Sequence, residues 1–163
     1  MTKIAAIGTR DLEGYQFPLL DSAGMFYAKQ GHEIHTGNAK GSDQAFAHGA
    51  NCVNPSRVHL YLPWLGYESK AILEGNVLHF AHEAGRDLVL LAERCHPNWK
   101  ALPQSIRNLM VRNTMIVFGA SMVIANPNRK KEGYGGTGHG MRVAIELGIP
   151  VWLVTEHVWW DGI

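Results

Sequence analysis

The chain has 163 residues, of which 46% are hydrophobic and 18% charged, and a formal net charge of +1. This length suits one domain with a substantial core and is short for two, and the composition is that of a folded globular protein. The near-neutral balance weighs against a protein that lives by gripping nucleic-acid backbone. Two cysteines, Cys52 and Cys95, cannot build a disulfide framework, and buried reduced thiols are expected. With no signal peptide and no run of ~20 apolar residues, a cytoplasmic location away from membranes is expected.

Lys3 to Ile7 is an apolar run that predicts a buried strand, stopped by Gly8-Thr9-Arg10 and followed by a helix over 14–30. Gly8 permits a tight turn, and Arg10 can reach an anion at the strand's end. The dinucleotide fingerprint GxGxxG is missing there. Glu33 to Thr36 predicts a second strand, followed by Gly37-Asn38-Ala39-Lys40-Gly41-Ser42-Asp43 and an Ala-rich helix to about Asn51. Ser42 or Asp43 can cap that helix. Asp43 can alternatively meet ligand hydroxyls or orient Arg10.

Arg57 to Leu62 predicts a third strand, and the loop after it carries Trp64, Tyr67 and Glu68, which can serve a ligand or lid the core. Residues 72–95 read as mostly helical with a break at Gly85. His79 and His82 would share a face of that helix, with His96 beyond it, but no third ligand is placed and no metal is expected. Gln104 to Phe118 predicts one helix whose apolar stripe runs through Ile106, Leu109, Met110, Ile116 and Val117. Asn113 falls inside the stripe and Arg112 borders it, so both either contact a ligand or tie down a loop.

Met122 to Ala125 predicts a fourth strand, and Asn126 to Glu132 a linker with three basic residues. The next stretch, Gly133-Tyr134-Gly135-Gly136-Thr137-Gly138-His139-Gly140, holds five glycines in eight residues and leads into a helix. Glycine lets successive N–H groups converge, and a helix starting there adds unpaired donors and the positive end of its dipole. That combination predicts an anion site, most often for phosphate. Val151 to Val154 predicts a fifth strand. The tail His157-Val158-Trp159-Trp160 carries too much aromatic surface to hang free and should pack on the body or a second subunit.

Strands alternating with helices predict an α/β single domain over 1–163: a Rossmann-like, mostly parallel sheet of about five or more strands, helices on both faces. Ligands bind such sheets at the carboxyl ends of the strands, so the turns after Ile7, Thr36 and Ala125 can share one crevice.

In that order, Ile7-Gly8-Thr9-Arg10, Thr36-Gly37-Asn38-Ala39-Lys40-Gly41-Ser42-Asp43, Arg112-Asn113, Gly135-Gly136-Thr137-Gly138-His139 and Gly148-Ile149-Pro150-Val151 resemble the Smf/DprA–LOG superfamily of Rossmann-like proteins. Asn38 stands where these proteins commonly have a second glycine, and Asn tolerates left-handed backbone. The resemblance implies a nucleotide or nucleotide-derived phosphorylated ligand, and often a homodimer. Gly8, Thr9 and Arg10, with Gly37, Gly135, Gly136 and Thr137, would hold phosphate; Asp43, Arg112 and Asn113 would contact ribose or phosphate. One alternative is a Lonely Guy-type phosphoribohydrolase, or a related N-glycosidase or deoxyribosyltransferase-like enzyme. The glutamate of the phosphoribohydrolase motif falls on Gly140 here, leaving Asp43, Glu68 and Arg112 as catalytic candidates. A second alternative is single-stranded DNA binding of the DprA type. No cofactor beyond the nucleotide is implied.

Overall fold

The computed structural model describes residues 2–162, which form one α/β domain around a seven-stranded sheet of order β4-β3-β2-β1-β5-β6-β7. In chain order the elements are β1 (Lys3–Gly8), α1 (Gln16–Lys29), β2 (Glu33–Thr36), α2 (Ser42–Asn51), β3 (Val58–Leu62), β4 (Val77–Phe80), α3 (Arg86–Cys95), α4 (Gln104–Val117), β5 (Met122–Asn126), α5 (Gly135–Glu146), β6 (Val151–Leu153) and β7 (Val158–Trp159). All neighbouring strands pair in parallel except β6 and β7.

The central strand shows why the sheet is covered twice. Ile4 and Ala6 of β1 point into one core with Leu20 and Phe46 from α1 and α2. Ala5 and Ile7 point into the other with Ile116, Met141 and Val143 from α4 and α5. A parallel strand buried on both faces shows no polar alternation, and the run Ile4-Ala5-Ala6-Ile7 has none. On the first face α1 crosses α2 closely. A Cβ on Gly24 would collide with the carbonyl of Phe46, and one on Gly49 with the carbonyl of Asp21.

The sheet exceeds the five strands read from sequence at both edges. Residues 77–80 were expected to be helical and form edge strand β4 instead. Asn76 explains the difference. Its side chain accepts from the Leu73 amide at 2.9 Å and donates to Asn51 Oδ1 and to the Pro55 carbonyl. These bonds hold residues 73–76 in a turn, so no helix propagates through them. The break at Gly85 is present, as the residue preceding α3. At the other edge the aromatic tail packs on the body: β7 pairs antiparallel with β6, and Trp159 meets Trp152 edge-on at 5.1 Å. Cys52 is exposed and Cys95 half-buried, so the expectation of two buried thiols fails. Among the described residues no helix is long and apolar enough to cross a membrane.

Candidate functional site

From β1 the chain builds leftward through β2, β3 and β4, then returns to place β5 on the other side of β1. Connections therefore diverge between β1 and β5, and a crevice opens at the carboxyl ends of such strands. A cavity of about 280 Å³ lies there. Its floor is Ile7, Gly8, Thr9 and Arg10 after β1, with Ala39 and Asp43 from the β2–α2 corner. One wall is α4, through Ile106, Leu109, Met110, Arg112 and Asn113. The rim is Asn128, Lys131 and Tyr134, and the start of α5 supplies Gly135, Gly136 and Thr137.

The three corners contribute unequally. At the first, the Thr9 amide is spent on the Asn126 carbonyl at 2.8 Å, and the Thr9 carbonyl receives both the amide and the hydroxyl of Ser42. At the second, the Ala39 amide donates to Asp43 Oδ2 at 3.3 Å. One amide at each of these two corners is thus taken up within the protein rather than left for a guest. Nor do Ser42 and Asp43 cap α2. Gly41 precedes that helix with a φ of 85°, and no side chain caps it. Asn38 adopts the left-handed conformation its substitution allows, with a φ of 59°.

The third corner is open. Gly133, Tyr134 and Gly135 all take positive φ, turning the chain so that α5 begins at the cavity without any side-chain cap. The amides of a helix's first turn have no intrahelical partner, and they carry the positive end of the dipole. Asn113 positions this turn by donating its side-chain amide to the Gly136 carbonyl at 3.1 Å. Gly136 leaves room for that approach: a Cβ there would lie 3.2 Å from Asn113 Nδ2. Arg10 and Lys131 are exposed at the mouth.

Arg112 is 3% exposed. Its Nη1 donates to the carbonyls of Gly37 and Tyr61, and its guanidinium lies over the Tyr67 ring at 5.5 Å. Gly37 lies behind it rather than in the cavity wall, where a side chain would strike the guanidinium and the Asp43 carboxyl. Burial pushes the Asp43 carboxyl up to about 6, against the opposing pull of Arg112 and of the Ala39 amide. Asp43 is the one carboxylate among the described lining residues. Glu68 stays outside the cavity, half-buried and left-handed at a φ of 46°, with its backbone carbonyl accepting from Asn38 Nδ2. Gly140 supplies no carboxylate, and a Cβ there would meet Ile7 Cδ1 at 2.8 Å. Tyr67 is engaged by Arg10 and Arg112, and Trp64 meets Tyr67 edge-on at 5.4 Å.

The histidines regroup. His79 lies on β4, His82 is exposed in the 3-10 turn after it, and His96 lies near His139 across the molecule. His35, His59 and Glu33 were not singled out from sequence. Their signal was the pair of patterns Glu33-x-His35 and His59-x-Tyr61, which put each pair on one face of a strand.

No protein-family model matches the sequence, and no curated protein matches it either. A solved structure of DNA processing protein A from Helicobacter pylori, described for its single-stranded DNA binding mode, superposes with a TM-score of 0.66 at 20% identity. The match covers 93% of this chain and 64% of that one, so the chain spans about two-thirds of that protein's length. At this identity the likeness establishes a shared α/β fold.

Proposed function

We propose that the crevice binds a nucleotide or nucleotide-derived phosphorylated ligand, with phosphate on the first turn of α5. The observation that carries this reading is the uncapped start of α5, aimed into a cavity where the strand order reverses. Amides of Gly135, Gly136 and Thr137 supply donors, and Arg10 and Lys131 supply charge from the mouth. Asn113 and Asp43 provide polar groups for a ribose, while Ile106, Leu109 and Met110 form an apolar wall for a base. A volume of about 280 Å³ suits one nucleotide unit rather than a dinucleotide, since drug-sized ligands occupy roughly 300–1,000 Å³. Without a second carboxylate in the cavity, binding is favoured over glycosidic cleavage.

Isothermal titration with a panel of nucleoside monophosphates tests the proposal. At least one should bind, and Arg10→Ala or Lys131→Ala should weaken it about tenfold, the value of a lost charge-assisted hydrogen bond. Absence of binding across the panel would contradict it. Release of free base, lost in Asp43→Asn, would make the crevice a glycosidase.

The second reading is single-stranded DNA, with one backbone phosphate of the strand at the same corner. It is favoured by the likeness to the Helicobacter protein and by the basic run Arg129-Lys130-Lys131, of which Lys131 stands on the rim. Oligonucleotide binding that falls steeply with salt, and is not displaced by mononucleotide, would select it.

A further inference from the structure

Away from the crevice, strands β2, β3 and β4 carry a ladder of histidines on the sheet face toward α4. His35 and His59 are paired in register and stack with ring centroids 4.0 Å apart and planes within 14°. Glu33 divides its carboxylate between them, Oε1 at 3.1 Å from His35 Nε2 and Oε2 at 3.3 Å from His59 Nε2. The opposite nitrogen of each ring has its own partner. His35 Nδ1 is 2.8 Å from the Tyr61 hydroxyl, and His59 Nδ1 is 2.9 Å from His79 Nε2.

We propose that Glu33, His35 and His59 form a binding site for a divalent first-row metal of the zinc class. One donor atom from each of the three lies within 4.8 Å of the others. Donors about 2.0–2.2 Å from a tetrahedral zinc sit roughly 3.3 Å apart, close to the observed carboxylate–imidazole separations. Two imidazoles and a carboxylate are borderline donors suited to zinc, cobalt or iron rather than calcium or magnesium. Tyr61 and His79 supply the outer partners that orient ligating imidazoles and fix their tautomers.

The same separations suit N–H···O hydrogen bonds, but the stacked rings hold their Nε2 lone pairs side by side, so metal binding requires His35 or His59 to turn until both point at the ion. In the metal-free ladder each Nε2–H donates to Glu33, while Tyr61 and His79 donate to the Nδ1 atoms. On metal binding the His35 and His59 protons move from Nε2 to Nδ1; the Tyr61 hydroxyl turns to accept from His35, and His79 shifts its own proton from Nε2 to Nδ1 so that its Nε2 can accept from His59. Both rings stay neutral, and no proton need leave the site. The nearest cation is Lys3, with Nζ 3.4 Å from the Tyr61 hydroxyl. It is held by the carbonyls of Met115 and Phe118, where the negative end of the α4 dipole offsets its charge.

The test is titration of the folded, full-length protein with Co²⁺ alone, followed by visible d–d absorption and calorimetry, with Zn²⁺ as competitor. The expected result is one site whose spectrum Zn²⁺ abolishes. Glu33→Gln and His59→Ala should each weaken binding about tenfold or more, since even outer-shell changes cost that much. Arg10→Ala in the crevice should leave it unchanged, so this result stands or falls apart from nucleotide binding. Glu33→Gln is near-isosteric at a half-exposed position and decides the matter should His59→Ala fail to fold. No d–d band, or a band undiminished in folded Glu33→Gln, would overturn the site and place any Co²⁺ on others of the nine histidines.

Discussion

Two demands meet at the guanidinium of Arg112. It lines the crevice, yet its Nη1 is committed to the Gly37 and Tyr61 carbonyls, which ties the β2–α2 corner to β3, while its buried Nε has no partner. Arg112→Ala would strand two carbonyls and leave Asp43 without its nearest counter-charge. The expected loss is about 3 kcal/mol of unfolding free energy, measured by urea denaturation; a loss below ~1 kcal/mol would remove Arg112 from the role of brace. Asp43 itself sets a pH dependence. With its carboxyl raised to about 6, it is ionised at neutral pH and becomes neutral as pH falls through that value. A negative charge in the crevice opposes an anion, and the ligand's own phosphate also gains a proton over this range, so Asp43→Asn should bind phosphate more tightly than the native protein at pH 7 and equally at pH 5. Calorimetry at both values reads the effect directly; equal affinities at pH 7 would contradict it.

Two helix contacts carry the element scale. The close crossing of α1 over α2 depends on the missing side chains of Gly24 and Gly49. Gly49→Ala should therefore destabilise the protein by about 1–3 kcal/mol, the usual range for overpacking, even though alanine is the better helix former. A more stable variant in thermal unfolding would contradict the packing. At the α4–α5 junction, buried His139 faces the Thr114 hydroxyl at 3.1 Å, and burial pushes its imidazole down to about 3. The unfolded chain takes up this proton near the ordinary value of 6.5, so the native state binds fewer protons below it. Stability from His139 is thus full above about 6.5 and lost as pH falls toward about 3. Urea midpoints between those limits should slope less in His139→Gln; an unchanged slope would contradict this.

On the scale of the whole molecule, the sheet and its switch point were legible because parallel strands buried on both faces write unbroken apolar runs between glycine-bearing turns. The edges were not. Four residues at β4 and two at β7 are too few to show a period, and β4 depends on Asn76 bonding to Asn51 and Pro55, more than twenty residues away in sequence. The lining of the crevice was legible at Gly8, Thr9, Arg10, Asp43, Arg112, Asn113 and Gly135 to Thr137 because all of them stand at carboxyl ends or on α4. What spacing cannot reveal is which groups are already occupied. The Thr9 and Ala39 amides and Nη1 of Arg112 look free in the sequence and are bonded in the fold. The histidine ladder was hidden for a related reason, since its members lie on three strands and meet only through sheet register.

The central claim is that a phosphate sits on the start of α5. Backbone amide chemical shifts during titration with a nucleoside monophosphate test it most directly. The account predicts the largest changes at Gly135, Gly136 and Thr137, with smaller ones at Arg10 and Asn113. Saturable binding that leaves those three amides unmoved would contradict it.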